Sequence, residues 1–170
     1  CGAGEELDSQ RLRLPNCVRK LEQRSGKVTK RVVIMAGPLP PLVGGMASVI
    51  AGLYQSSLAR DFDLWLFQTG KTTPEGRRLW RGVWARLVLM WQWWRLLGAA
   101  TRPVAHIHTC SGMTFFLDGA LLLMAQARRA STMLHIHGGR FDAFLDGLPS
   151  IPAALVRWLA RRAGVVVVLS

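Results

Sequence analysis

A chain of 170 residues, half of them apolar, with 22 Lys and Arg against 10 Asp and Glu, carries a formal charge of +12. That apolar content excludes a disordered basic tail, and the length fits one domain. The longest apolar stretch, Leu79 to Ala100, is broken by Arg81, Arg86, Gln92 and Arg95, which excludes a spanning helix.

Residues 1–30 are polar and mixed in charge and read as a solvated lead-in. From Arg31 onward, short β-branched runs alternate with longer helical stretches. Strands are expected at Val32–Met35, Asp63–Phe67, Val104–His108, Thr132–Ile136 and Val165–Leu169, and helices at Met46–Ala59, Arg77–Leu97, Gly112–Arg129 and Pro152–Ala163. Near-continuous apolar strands alternating with helices predict a doubly wound parallel sheet, a Rossmann-like α/β domain covering residues 31–170. The chain opens without Met and stops after an apolar run that reads as a buried strand, so a fragment of a longer protein is expected. Cysteines at positions 1, 17 and 110 fit neither a disulfide framework nor a Cys-x-x-Cys metal site. With no secretory signal in view, a reducing, cytoplasmic setting is expected.

In such folds ligands bind beyond the carboxyl ends of the strands. After the first strand, Gly44 and Gly45 lead into a helix, where a phosphate or sugar can approach bare backbone and unpaired N–H groups. The alternative is a turn that needs positive φ. The spacing G-x-G-x-x-G is absent, which counts against NAD or FAD, and Gly70-Lys71-Thr72 lacks the earlier glycine of a phosphate-binding loop. All four histidines fall in two His-x-His pairs, His106/His108 and His135/His137, each at the end of an expected strand. Residues at i and i+2 share a face, so each pair points one way, and a metal site is conceivable if the two strands are neighbours. No carboxylate stands at ligand spacing, so no metal is assigned. Gly138 and Gly139 bare the backbone beside His137 and place its ring at the mouth of the cleft, where an imidazole can hydrogen-bond a hydroxyl.

Taken in order, Pro41-Leu-Val-Gly-Gly-Met-Ala47, Val104-Ala-His-Ile-His108, Leu134-His-Ile-His-Gly-Gly-Arg-Phe141 with Phe144, and Val165-Val-Val-Val-Leu-Ser170 resemble the N-terminal half of a family 4 retaining glycosyltransferase of the GT-B fold. The resemblance covers about Arg31 to Ser170 and is similar to members that build bacterial exopolysaccharides. It implies transfer of a sugar from a nucleotide diphosphate sugar, with retention and without a further cofactor, to a saccharide or polyprenyl-linked acceptor. It also implies a catalytic role for His137 near the reacting carbon, and substrate contacts from Gly44, Gly45, His108, Gly138 and Arg140. The donor-binding second domain of that family is not in this chain. No nucleophile is nominated; Asp118, Asp142 and Asp146 are read as surface, capping or acceptor-orienting carboxylates.

The segment Arg77 to Leu97 gathers five of the seven Trp among arginines. On a helical wheel Trp80, Trp84, Leu87, Trp91 and Trp94 form one stripe, with Arg78, Arg81 and Gln92 mostly opposite. A Trp and Arg helix lying in the headgroup region of an anionic bilayer would put the protein on the inner face of the plasma membrane as a peripheral protein. The competing readings are a core-packing helix with a basic outer face, and a non-enzymatic basic α/β module binding membrane or nucleic acid. No nucleic-acid-binding module accompanies the charge, so no nucleic-acid partner is assigned.

Overall fold

The computed structural model describes residues 30–39, 44–70 and 79–168. In chain order these form β1 (Arg31–Gly37), α1 (Gly45–Gln55), α2 (Leu58–Asp61), β2 (Phe62–Gln68), α3 (Leu79–Ala99), β3 (Val104–Thr109), α4 (Met113–Ala127), β4 (Ser131–Ile136), α5 (Phe141–Asp146), α6 (Ser150–Arg162) and β5 (Val165–Val168). Residues 1–29 of the expected lead-in, Pro41 to Val43, Lys71, Thr72, Arg77, Arg78, Leu169 and Ser170 lie outside the described residues.

The five strands are all parallel and ordered β2-β1-β3-β4-β5, a Rossmann-like α/β arrangement as the alternation of strands and helices predicts. Because β1 sits between β2 and β3, the chain winds outward in both directions from it. Right-handed crossovers then put α1, on the way to β2, on one face and α3, α4 and α6, on the way to β3, β4 and β5, on the other. On one face Ile34, Ala36, Phe67, Ala105, Ile107, Leu134 and Ile136 meet Trp93 and Leu97 of α3, Phe115, Leu121 and Leu122 of α4, and Val156 and Leu159 of α6. On the other face Met35 and Leu64 meet Ile50 of α1. The period of two along β3 therefore assigns Ala105 and Ile107 to the first face and His106 and His108 to the second.

Two glycines allow close approach. A Cβ on Gly37 would run into the Ile50 side chain and stand 3.1 Å from His108 Cβ, so the bare backbone lets α1 close onto the end of β3. A Cβ on Gly119 would meet Leu159 Cδ1 at 2.6 Å, where α4 and α6 pack together.

Three elements differ from the sequence-based expectation. The helix expected from Met46 to Ala59 ends at Gln55, because Ser56 turns extended and its hydroxyl donates to the Leu53 carbonyl at 2.6 Å, competing with the helical bond. The short helix α5 was not anticipated. The last strand, read as buried, is an edge strand with Val165, Val166 and Val168 exposed. Among the described residues it pairs only with β4.

Candidate functional site

The register of β3 against β4 sets His108 directly beside His135, and His106 beside Met133. The backbone N–H of His137 donates to the Thr109 carbonyl at 2.7 Å, carrying the ladder one step past the end of β4. The four imidazoles consequently form a two-by-two array. His106 Nε2 lies 3.3 Å from His135 Nδ1, and His108 Nδ1 lies 2.8 Å from His137 Nε2. The rings are layered as well, with centroids 4.2 Å apart for His106 and His108 and 4.1 Å for His135 and His137.

The lower three rings, His106, His108 and His135, are buried, and His137 is half-exposed at the top. Burial lowers the basicity of all four, and mutual repulsion adds to it for His106, His108 and His137. His106 and His137 fall to about 4 and His108 to about 2, while His135 is shifted in the same direction by burial. Near neutral pH the array is uncharged, so each ring holds one N–H and one lone pair.

The sequence-derived site residues occupy distinct positions. His137 stands at the carboxyl end of β4, followed by Gly138 and Gly139, beside which a Cβ would meet open space. Arg140 is exposed and immediately precedes α5. Gly44, extended at φ 165°, precedes α1 and Gly45 opens it; neither is left-handed, and the space beside both is open. That removes the reading of the pair as a turn needing left-handed backbone. His108 is 1% exposed, so it reaches the cleft only through the ring of His137.

Asp118, read from sequence as a surface, cap or acceptor-orienting carboxylate, is instead buried on α4. Its side chain lies against Thr109, and burial raises it to about 7, with the Thr109 hydrogen bond and the Arg86 charge pulling the other way. The signal was present in the sequence: Asp118 lies three residues after Phe115 and four before Leu122, on the apolar side of the α4 wheel. Asp142 and Asp146 are exposed.

These shifts predict how stability responds to acid in metal-free protein. His106 and His108 take up a proton near 6.5 when unfolded but only near 4 and 2 when folded. Each therefore subtracts about 1 kcal/mol per pH unit as pH falls below 6.5. His135 and His137 act in the same direction. Asp118 opposes them, because its folded value of about 7 exceeds the unfolded 3.8, and it returns about 1 kcal/mol per unit over that interval. The net expectation is a loss of roughly 1–2 kcal/mol per unit between pH 6.5 and 5. Urea midpoints at several pH values with a chelator present check it, and stability that stays level or rises toward pH 5 would contradict the neutral array.

Comparison with family models, with curated proteins and with solved structures returned no match.

Proposed function

We propose that this domain is the acceptor-side half of a retaining glycosyltransferase of the GT-B type. It would transfer a sugar from a nucleotide diphosphate sugar to a saccharide or polyprenyl-linked acceptor at an anionic membrane surface. The observation that carries the reading is His137, a neutral imidazole at the carboxyl end of β4, braced by a 2.8 Å bond to buried His108 and flanked by bare Gly138 and Gly139. The motif resemblance supplies the reaction class.

In this reading His137 uses Nε2 against His108 and keeps Nδ1 for a hydroxyl of the donor sugar. A neutral ring on a buried partner is orientated before substrate arrives, so its hydrogen bond strengthens as charge develops at the reacting carbon without reorganisation. The N-terminus of α1 at Gly44 and Gly45 offers backbone N–H groups to the departing diphosphate. Arg140, exposed at the start of α5, adds a positive charge next to the same glycine pair as His137. The test is hexosyl transfer from nucleotide diphosphate sugars to lipid-linked and soluble saccharide acceptors by the polypeptide its gene encodes. Absence of transfer with every donor would remove the proposal.

The membrane component rests on the outer face of α3. Trp80, Val83, Trp84, Leu87 and Trp91 are exposed while Trp93, Leu96 and Leu97 of the same helix are buried. The helix thus serves both the core and an outward apolar stripe. Gln92, placed opposite the stripe by the wheel, is half-buried, and Arg81 stacks on Trp80. On α6, which covers the same face of the sheet, Ile151, Leu155 and Trp158 are also exposed. Arg95, Arg128 and Arg162 lie over Trp91, Trp94 and Trp158 at 4.9, 3.9 and 4.7 Å. Neither helix carries an acidic residue. No helix among the described residues is long and apolar enough to cross a membrane, so the aromatic stripe suits an in-plane contact.

Each basic residue near an anionic surface contributes about 1 kcal/mol. Arg81 and Arg95 replaced together by Gln should therefore weaken binding to anionic vesicles roughly 30-fold. Co-sedimentation should also show binding that weakens with salt, over a screening length of ~8–10 Å. No binding to anionic vesicles at low salt would leave the acceptor without a reason to be lipid-linked. The same face is the observation that favours the second reading, a non-enzymatic membrane-binding module; vesicle binding with no transfer activity would select it.

A further inference from the structure

We propose that His106, His108 and His135 form a binding site for one divalent transition-metal ion of the zinc class, cross-linking β3 to β4 beneath His137. This inference is independent of the proposed transferase activity. Each of the three histidines offers a ring nitrogen, and the three nitrogens lie within 4.8 Å of one another, all on buried side chains. A tetrahedral site with Zn–N distances of about 2.0–2.1 Å requires its nitrogens roughly 3.4 Å apart. Closing the remaining gap asks for ring rotation and leaves the paired strands in place.

A second observation points to a ligand. Nε2 of His108 and Nε2 of His135 are both buried and have no hydrogen-bond partner. Leaving a buried polar atom unpaired is costly, and a purely structural ladder would carry that cost twice. One assignment of protons makes both atoms useful. If Nδ1–H of His108 donates to His137 and Nδ1–H of His135 donates to His106, each Nε2 is a bare lone pair. His108 then donates its other ring N–H to His137, as a metal-bound histidine commonly does to a neighbouring acceptor. Ligation by His106 through Nε2 takes up the lone pair that accepts from His135, so the 3.3 Å bond between them is given up for the ion and the His135 N–H is released.

The donor set selects the metal. Three uncharged imidazoles, with no carboxylate or thiolate among them, suit Zn²⁺, Co²⁺, Ni²⁺ or Cu²⁺ and do not suit Mg²⁺ or Ca²⁺. Cys110, the nearest thiol along the chain, is engaged with Thr114 Oγ1 at 3.3 Å. The consequence reaches the cleft: an ion on His108 Nε2 fixes the His108 proton on Nδ1, where it is donated to His137 Nε2. His137 must then present Nδ1–H outward as a donor.

The test uses the untagged full chain, stripped with a chelator and titrated with Co²⁺ alone, then Zn²⁺ alone. One equivalent of Co²⁺ should produce visible d–d bands of tetrahedral intensity, which Zn²⁺ abolishes, and the thermal midpoint should rise with Zn²⁺ concentration. His135→Gln and His106→Gln, which each remove a ligand, should abolish the one-equivalent cobalt bands, whereas His137→Ala, which removes only the acceptor of the His108 N–H, should keep the bands and weaken binding by about 10–100-fold. The imidazole proton–nitrogen NMR spectrum of the unsubstituted chain gives a readout that does not depend on variants folding: Zn²⁺ should shift the His106, His108 and His135 nitrogens. No cobalt bands with no imidazole shift at millimolar Zn²⁺, or equal binding by the His106→Gln/His135→Gln chain, would overturn the proposal. Transfer activity is not a readout, so failure of the metal site and failure of the transferase reading remain distinguishable.

Discussion

Trp93→Ala is expected to destabilise the domain by about 3–5 kcal/mol, the largest effect of any single truncation considered. The indole is fully buried, its ring centre is 5.0 Å from that of Phe67, and its Nε1–H donates to the Leu121 carbonyl at 3.0 Å. It therefore joins β2, α3 and α4 at one point. Removing it loses the transfer energy of a large side chain, opens a cavity that rigid neighbours fill only partly, and deletes a buried hydrogen bond. Domains of this size have a total stability of ~5–15 kcal/mol, so the variant stands close to unfolding at 37 °C. Trp93→Phe, which keeps most of the ring and loses the N–H, should cost about 1–2 kcal/mol. Urea unfolding followed by circular dichroism measures both. Equal midpoints for the Ala variant and the unsubstituted chain would mean that α3 is not docked through Trp93.

On the proposed transferase reading, His137→Ala is expected to lower turnover by ~10–1000-fold, the range for losing one hydrogen bond made in the transition state. Folding should survive, because the ring is half-exposed and its removal costs one hydrogen bond, to His108 Nδ1. The decline should fall mainly on kcat, since the proposed contact forms as charge develops at the sugar. His108→Ala supplies the contrast. In the same reading His108, buried and bonded to His137, acts only by positioning that ring, so its loss should also destabilise the sheet, and added imidazole should not restore turnover. A folded His137→Ala enzyme with unchanged kcat and KM would assign His137 to structure alone.

Much of the sheet was legible because its signals are local. Val32-Val-Ile-Met35 and Val104-Ala-His-Ile-His108 declare strands through β-branched and apolar runs, and their alternation with helical stretches declares a parallel sheet. Strand order was not legible, since whether β3 lies beside β1 or beside β2 depends on crossovers between distant segments. The same limit applied to the histidines. Period two put His106 with His108 and His135 with His137, but the 2.8 Å contact between His108 and His137 exists only because the strands are neighbours in one register. Helix α5 has six residues, too few for Phe141, Phe144 and Leu145 to establish a helical period. The Trp stripe was legible because α3 is long: 21 residues resolve its buried and outward faces. For β5, four consecutive valines said only that the strand is apolar. Whether such a strand is central or at an edge is decided by what pairs with it.

The central position of β1 also sets the timing of folding. Its two partners, β2 and β3, both follow it in the chain, and Val33 finds its β3 partner only once Val104 has been made. At ~5–20 residues per second on the ribosome, Ile34, Met35 and Ala36 spend several seconds without the strand that completes their burial. The pairs β1–β2 and β3–β4 each consist of consecutive strands that meet through one short crossover, so each can assemble as soon as it emerges. The long-range β1–β3 ladder, which joins the two pairs, is accordingly expected to form last. The nascent N-terminal strands would be the segment that needs a holdase.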